Sequence, residues 1–348
     1  MVQDSDLSVR GESVQRLYNY YMDNKFIVNR RYQRKLVWAL EEKQSFIDSL
    51  RQELPVPLIL VAEPVGAPGA FEIIDGMQRL NAIAAFVENE FALDDGYFDV
   101  QTLADTKERH DAGELEQKTP VLNRSVCTRI ASYTVPLSIY RTGSEDDVDE
   151  VFCRINSGGR HLSRQELRQA GVTSRLATVV RMLSARVRGD VSAQDTLPLN
   201  RMVEISITSR KLPYGIDVES LFWVQERILI REQVRDSRDE EIIAELVAAM
   251  ALDAMPPSGT RYMDELYGVR ESSSGRAEAI DAAITSRTPE VLERQFMLVF
   301  DEMRKVLDCV DKPFNRLILE TPPPRVPRYF QVIFFGDVHA IGETGQAG

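Results

Sequence analysis

Hydrophobic and polar residues follow two different periods along the first 140 residues, which predicts a mixture of strands and helices. Apolar residues recur at helical spacing within 41–50 and within 78–88, so an amphipathic helix is predicted for each range. Short apolar runs at 58–62 and 71–74 flank a turn that contains proline and glycine, and they predict a hairpin. A further strand is predicted over 133–140 because its apolar residues alternate.

After about Ser144 the periodicity is helical almost throughout. The predicted helices cover 145–155, 163–188, 217–234, 238–252, 276–286 and 288–309. Prolines between 321 and 327 interrupt the pattern, and 342–348 is expected to form a loose tail. We therefore expect an α+β protein, with a small mixed sheet in an N-terminal domain over 1–145 and an all-α domain over 146–348.

The composition is that of an ordinary globular protein, with 43% hydrophobic and 28% charged residues among 348. No apolar run approaches the roughly 18 residues that a membrane span needs, and the acidic, polar start lacks the features of a signal peptide. The three cysteines are widely separated, which disfavours a disulfide framework or a zinc site and fits a reducing cytoplasm. A net charge of −12 disfavours nonspecific coating of nucleic acid but leaves a local basic groove open.

Charge is unevenly distributed along the chain. Five cations and no acid lie between Lys25 and Lys35, and eight arginines accompany a single acid over 154–188. Ten acids and only two bases lie over 88–116. This asymmetry predicts one basic and one acidic surface, although solvated helix faces would give the same runs.

The most informative stretch is 71–80, in which an apolar strand leads through Asp75-Gly76 directly into a helix. The first backbone N–H groups of a helix have no partner within it, and together with the helix dipole they favour an anion. Arg79 lies in that first turn, where a guanidinium can bind phosphate oxygens. Gly76 would let a ligand approach the backbone, and Asp75 would hold a metal ion or a ribose hydroxyl. A plain Asp cap in an Asp-Gly turn is the alternative interpretation.

Cations alternate with aromatic and amide side chains between Arg30 and Trp38. This mixture suits contacts with phosphates and bases, and it makes Arg30 and Arg31 candidate DNA contacts. The alternative is that Tyr32 and Trp38 anchor the core while the arginines are solvated. For Trp38, beside an amphipathic helix, the core role is favoured.

A third segment joins two predicted helices through the tight loop Gly158-Gly159. Its arrangement could bind a nucleotide or a nucleic-acid backbone, although a plain corner between two helices would have the same pattern. The polar side chains that converge on this loop or follow it are Arg154, Asn156, Arg160, His161 and Arg164.

In this order the three segments resemble the N-terminal domain family of GmrSD-type restriction endonucleases, which has a ParB/sulfiredoxin-like nucleotide-binding fold. The resemblance covers about 14–170. The residues that carry it are Tyr32-Gln33-Arg34 with Trp38, Pro55-Val56-Pro57, 74–80, 152–156 and 162–167. The family's usual Asp-Gly-Gln-Gln-Arg signature has Met77 here in place of its first glutamine, so hydrolysis depends on what that glutamine contacts.

The resemblance implies a module of bacterial DNA restriction and anti-phage defence that binds and hydrolyses a nucleoside triphosphate with Mg²⁺. The implied catalytic residues are Asp75, Gln78 and Arg79, and Asp75 is also the implied metal ligand. The implied nucleotide contacts are Tyr32, Gln33, Arg34, Gly76, Arg154 and Asn156. The expected DNA contacts are Arg30, Arg31, Arg160 and Arg164.

A partner nuclease of the HNH type is also expected. Many members of the family carry such a domain, whereas the histidines of this chain, His110, His161 and His339, are scattered. An oligomer is left open.

Two other functions stay open from the sequence. One is a DNA-binding sensor without catalysis, in which the arginines of 154–188 follow the phosphate backbone. The other is a metal-dependent nuclease that uses Asp75 with an acid from elsewhere in the chain.

Overall fold

The structure is a computed structural model of the whole chain. It describes residues 6–30, 35–64, 66–142, 145–157, 163–169, 172, 174–190, 196–205, 207–208, 215–257, 259–269, 274–310, 312–321, 323 and 325–344. Within these ranges, every helix is too short or too polar to cross a lipid bilayer.

Six strands form one mixed sheet. Their order across the sheet is β1 (Asp6–Ser13), β5 (Thr134–Thr142), β3 (Ile59–Pro64), β4 (Phe71–Asp75), β2 (Phe26–Asn29) and β6 (Thr196–Pro198). The pairs β1–β5, β3–β4 and β2–β6 are antiparallel, whereas β3–β5 and β2–β4 are parallel. The central strand β3 is buried along nearly its whole length, as expected for a strand that is covered on both faces.

Helices accompany these strands, and all but the fourth, which is polar, contribute side chains to the hydrophobic core. Their bounds are Val14–Met22 (α1), Leu40–Arg51 (α2), Met77–Val87 (α3), Ala104–Asp111 (α4) and Arg124–Ser132 (α5). Helix α1 begins at a good cap, because the Ser13 side chain accepts a hydrogen bond from the backbone N–H of Arg16 at 3.1 Å. Helix α3 is apolar around most of its circumference, and Leu80, Ile83 and Phe86 are buried in the core.

The predicted elements that surround the Asp-Gly turn are confirmed. The helix predicted over 41–50 is α2, and the helix predicted over 78–88 is α3. The predicted hairpin is the antiparallel pair β3–β4, and the strand predicted over 133–140 is β5. These elements follow from local hydrophobic periodicity, which was strong in each of them.

The chain divides into two compact units that are interleaved in sequence. The first comprises 1–155 with 193–217, and the second comprises 156–192 with 218–348. The mixed sheet lies in the first unit, and its edge strand β6 comes from the later segment of that unit. The domains 1–145 and 146–348 and the ParB-like fold stay predictions.

The rest of the first unit is less regular. A 3₁₀ turn at Val100–Thr102 precedes α4, and another covers Leu199–Ile205 after β6. The short strands β7 (Ile207–Thr208) and β8 (Ile216–Asp217) pair in parallel. Strands therefore recur after Ser144, and the expectation of helices almost throughout was wrong for β6, β7 and β8.

Helices make up most of the second unit. The helices after α5 are α6 (Glu145–Ser157), α7 (Arg164–Gln169), α8 (Arg175–Arg188), α9 (Phe222–Gln225), α10 (Arg231–Arg235), α11 (Arg238–Leu252), α12 (Thr260–Leu266), α13 (Ser274–Arg287), α14 (Pro289–Asp308), α15 (Phe314–Ile318) and α16 (Pro327–Thr344). Of these, α6 begins in the first unit and ends in the second.

Three of the helical predictions need correction. The single helix predicted over 163–188 is two helices, α7 and α8, and Ser174 caps the second by accepting from the backbone N–H of Ala177. The helix predicted over 217–234 is a 3₁₀ turn at Val218–Ser220 followed by the short helices α9 and α10. The loose tail was predicted to begin at 342, but α16 continues to Thr344. In each case the hydrophobic spacing did not show where a helix is interrupted or how far it extends.

Candidate functional site

The strand-to-helix corner, residues 75–79, begins where β4 ends. Gly76 has a φ of 101°, a backbone conformation that glycine adopts far more readily than other residues. A Cβ atom at this position would lie 2.9 Å from Cγ1 of Ile59 on the neighbouring strand β3. The positive φ and the close packing against β3 therefore both require a glycine at position 76. They explain this residue without the approach of a ligand.

Helix α3 opens at this glycine with its first backbone amides directed out of the helix. The carbonyl of Gly76 accepts the first helical bond, from the N–H of Leu80 at 3.0 Å, and no side chain of the described residues caps the helix. The N–H groups of the first turn and the positive end of the helix dipole therefore lie at the corner. The corner has the backbone geometry that the sequence predicted for an anion site.

The two charged residues of the corner bind each other. Nη2 of Arg79, in the first turn of α3, donates to Oδ2 of Asp75, the last residue of β4, at 2.5 Å. Arg79 is buried, with 9% of its surface exposed, whereas 41% of the Asp75 side chain is exposed. A ligand at this corner would meet the carboxylate first, and the guanidinium would become available only when this ion pair opens.

Gln78 joins α3 to the segment that precedes α2. Its Oε1 accepts hydrogen bonds from the backbone N–H groups of Val37 at 3.1 Å and Trp38 at 3.2 Å. Its Nε2 donates to the carbonyl of Lys35 at 3.1 Å. One side chain thus satisfies three backbone groups of 35–38 and fixes this segment against the corner.

Met77, which departs from the family signature, lies in the hydrophobic core with 7% of its surface exposed. The side chain at this position belongs to the same buried cluster as the apolar residues of the sheet. The replacement of a glutamine by Met77 therefore changes a core contact in this structure, while Gln78 supplies the polar contacts on the neighbouring side of the helix.

The other predicted nucleotide contacts are described only in part. Tyr32, Gln33 and Arg34 lie outside the described residues. Arg154 forms an ion pair with Glu150 at 2.5 Å within its own helix, α6. Asn156 belongs to the last turn of α6, and its side chain is outside the described part. Their roles toward a nucleotide stay predictions.

The predicted DNA contacts are also described only in part. Arg30 is half-buried and has partners within the chain. Arg31 and Arg160 lie outside the described residues. Arg164 binds Asp264 with Nη2 at 2.7 Å from Oδ2, although 56% of its side chain remains exposed.

Two arginines of the arginine-rich stretch 154–188 are buried in ion pairs inside the second unit. Buried Arg168 contacts Asp264 at 2.8 Å and Glu241 at 3.0 Å. Arg188 contacts Asp239 at 2.7 Å and Glu240 at 2.8 Å, and both of these carboxylates are fully buried. The hypothesis that this stretch follows a DNA backbone needs correction for these arginines, because their charge is neutralised within the protein.

Sequence reasoning missed a buried polar contact between α2 and α3. Lys43 and Asn81 are almost fully buried, with 2% and 1% of their surfaces exposed, and Nζ of Lys43 donates to Oδ1 of Asn81 at 2.6 Å. Burial lowers the pKa of Lys43 to about 8, and the negative charge of Glu90 opposes that shift. The signal in the sequence was a lysine on the apolar side of α2, between Leu40 and Phe46.

Asp75 can contribute one carboxylate to a Mg²⁺ ion. Mg²⁺ is commonly bound by one or two carboxylates together with substrate phosphates. Among the described residues, no group of three or more histidine, cysteine, aspartate or glutamate side chains is arranged to hold a metal. Asp75 alone could supply a carboxylate ligand at the corner, and the predicted Mg²⁺ would need phosphates for its other ligands; this role of Asp75 stays a prediction.

The comparison with protein families connects the corner to a known domain. Residues 14–173 match the model of the family described as GmrSD restriction endonuclease, N-terminal domain. The resemblance that the motifs indicated over about 14–170 is confirmed. No curated protein matches the chain.

Proposed function

We propose that this chain, which matches the N-terminal domain of GmrSD restriction endonucleases over 14–173, is a nucleotide-binding component of a bacterial system that restricts foreign DNA. In this proposal the corner binds the phosphate groups of a nucleoside triphosphate. Binding of the nucleotide then regulates a partner nuclease or engagement of DNA. The family match supports the restriction role, and the geometry of the corner supports the position of the phosphates.

The observation that carries the phosphate site is the combination of groups at the start of α3. Backbone amides without a side-chain cap, the positive end of an 11-residue helix and the guanidinium of Arg79 meet within one helical turn. Each of these groups favours a bound anion, and a guanidinium can form two parallel hydrogen bonds with a phosphate.

The ion pair at the corner implies an exchange of partners when the nucleotide binds. The guanidinium of Arg79 turns from Asp75 to a phosphate oxygen, where it balances the charge of the phosphate group. The carboxylate of Asp75, already half-exposed, is then free to bind a cation. A Mg²⁺ ion bound there together with the phosphates would neutralise charge on the transferred phosphoryl group.

Gln78 holds the segment 35–38 beside the corner. By holding the backbone of 35–38, it fixes the position at which the chain leaves the predicted nucleotide contacts Tyr32, Gln33 and Arg34. We therefore assign Gln78 to positioning the site, and we assign phosphate binding to the amides and to Arg79.

The test is a binding screen of the four ribonucleoside triphosphates with Mg²⁺, by thermal shift and then by calorimetry. Arg79→Met keeps most of the apolar volume of the side chain and removes the guanidinium. We expect the variant to bind about 10 to 150 times more weakly, since a charged hydrogen bond contributes about 1.5–3 kcal/mol.

The matched control is Arg141→Met. Arg141 also binds a carboxylate, Glu63 at 2.7 Å, but it lies at the other end of the β3–β4 pair. The control should bind the nucleotide like the unmodified protein. If no nucleotide binds to the unmodified protein, or if Arg79→Met binds equally well, the phosphate site is not at this corner.

A further inference from the structure

The two edges of the mixed sheet differ in how well they are protected. An edge strand carries unpaired backbone groups that another strand can bind, and short strands or prolines commonly block such an edge. The edge strand β6 has three residues and includes Pro198, which cannot donate a backbone hydrogen bond. The other edge strand, β1, has eight residues without a proline, and they pair with β5 without a bulge. Within the described part of the chain, β5 is the one strand beside β1, so the outer side of β1 is open.

The hydrogen bonds between β1 and β5 show which backbone groups lie on the open side of β1. Opposite residues in antiparallel strands alternate between pairs that exchange two N–H···O bonds and pairs that exchange none. Val14, which follows β1, donates its N–H to the carbonyl of Tyr133 at 3.0 Å and continues the hydrogen-bonded series. Gly11 lies opposite Pro136, which has no N–H and therefore fits a non-hydrogen-bonded pair. The residues of β1 whose N–H and C=O groups point away from β5 are therefore Leu7, Val9, Gly11 and Ser13.

Two large apolar side chains of β1 are exposed on one face of the sheet. Leu7 and Val9 have 62% and 66% of their surfaces exposed, and they share a face because they are two residues apart in a strand. Arg10 and Glu12 lie on the other face, where Nε of Arg10 contacts Oε1 of Glu12 at 2.8 Å and both contact the hydroxyl of Tyr20. Strand β1 thus presents an uncharged apolar face next to a row of open backbone donors and acceptors.

We propose that β1 binds the β1 strand of a second copy of this chain in antiparallel orientation, so that the two mixed sheets join into one. The same surface then serves both copies, as a two-fold axis requires. The open backbone groups belong to the odd-numbered residues, so each odd-numbered residue lies opposite an odd-numbered residue of the second copy.

The side chains of β1 select one register among those that the backbone allows. With Ser8 on the two-fold axis, Leu7 of each copy lies opposite Val9 of the other, and both exposed side chains gain an apolar partner. A register centred on Val9 would place Leu7 opposite Gly11, which has no side chain. A register centred on Arg10 would place two like charges opposite each other, which is unfavourable. Strand β1 therefore complements itself in the register centred on Ser8, which favours a second copy as its partner.

The first experiment tests this register by cross-linking. The background is Cys309→Ser, which removes an exposed cysteine. In that background Ser8→Cys places two thiols opposite each other, with Cα atoms about 4.5 Å apart, which is within the range of a disulfide. Mild oxidation should convert Ser8→Cys to a covalent dimer, seen on a non-reducing gel. The control is Val306→Cys on α14, and a dimer that forms no faster with Ser8→Cys than with this control would overturn the proposal.

The second experiment measures association of the full chain by sedimentation equilibrium over a range of protein concentrations. We expect Val9→Lys to raise the dissociation constant of the dimer by about tenfold or more, because a lysine on an edge strand opposes pairing. Val306→Lys is the matched control, since Val306 is 61% exposed but lies on a helix, and it should associate like the unmodified protein. An unmodified protein that is monomeric at every concentration, or equal association by the two lysine variants, would overturn the proposal.

The third experiment tests the backbone contribution with proline. Val9→Pro removes an N–H that points away from β5, so it should weaken the dimer while the hydrogen bonds between β1 and β5 remain. Ser8→Pro removes an N–H on the β5 side and should lower the midpoint of thermal unfolding further than Val9→Pro does. Association of Val9→Pro at the original strength would refute pairing through this edge. All measurements are made without nucleotide, so their outcome does not depend on the proposed phosphate site.

Discussion

At the scale of the residue, Gly76 shows how one position serves two requirements. Its positive φ turns the chain from β4 into α3, and its missing side chain leaves room for Ile59. The Asp-Gly pair predicted a turn from the sequence, whereas the contact with Ile59 depends on the pairing of β3 with β4.

We expect Gly76→Ala to destabilise the protein by about 2–4 kcal/mol, from the strained φ and from the contact with Ile59. The matched control is Gly69→Ala, since Gly69 also has a positive φ, 83°, but a Cβ atom there would meet nothing within 4 Å. Gly69→Ala should cost only the backbone strain, about 1–2 kcal/mol. The measurement is the free energy of unfolding in urea, and equal losses for the two variants would contradict the role assigned to Ile59.

The ion pair of Asp75 and Arg79 is a second feature of this scale. The sequence presented both residues as ligands of a nucleotide, and the structure pairs them with each other. Asp75 ends β4 and Arg79 lies in the first turn of α3, so the turn at Gly76 brings the two side chains together. What spacing could not give is the burial of Arg79 beside a half-exposed Asp75.

At the scale of the element, the joint between α2 and α3 depends on one amide side chain. Gln78 binds three backbone groups of 35–38, a segment without regular secondary structure in front of α2. A segment of this kind has few backbone partners of its own, and its position therefore follows the partner that Gln78 supplies.

We expect Gln78→Leu to destabilise the first unit by about 2–4 kcal/mol, because the N–H groups of Val37 and Trp38 lose their acceptor. Hydrogen exchange should accelerate at these two amides before it accelerates in the strands. Gln44→Leu serves as the control, since it removes a single hydrogen bond to Ala92 and should cost less. Unchanged exchange at Val37 and Trp38 in the Gln78 variant would show that other contacts hold this segment.

At the scale of the whole molecule, charge is neutralised inside the second unit. The first turn of α11 carries Asp239, Glu240 and Glu241, where acids also suit the positive end of the helix dipole. Arginines from α7 and α8 bind these carboxylates, with Arg188 on the first two and Arg168 on the third. Two arginines of a stretch that is basic in sequence, Arg168 and Arg188, therefore belong to an internal network in the folded protein.

We expect Arg188→Met to destabilise the second unit by about 3–5 kcal/mol, because it removes a buried cation that contacts two fully buried carboxylates. Arg186→Met is the control: Arg186 binds Glu293 at the surface, where an ion pair contributes about 0–1 kcal/mol. Thermal unfolding followed by circular dichroism measures both. A loss for Arg188→Met no larger than that for Arg186→Met would refute the network as a source of stability.

The sequence by itself determined the elements that depend on neighbours along the chain. Strands β3 and β4, helices α2 and α3, and the glycine between β4 and α3 follow from local apolar periodicity and turn chemistry, and the motifs were enough to indicate the family. The edge strand β1 and the short strand β2 were missed. The eight residues of β1 include only two large apolar side chains, Leu7 and Val9, and β2 has only four residues, so pairing within the sheet supplies most of their stability.

Only the tertiary structure decided which charged residues meet. The return of β6 to the sheet, the burial of Lys43 against Asn81 and the pairing of the arginines of 164–188 all join residues far apart in sequence. A local pattern records whether a side chain is charged, but the partner of that charge is fixed by packing between elements. The same arginine can therefore face a ligand or a buried carboxylate with no change in the surrounding sequence.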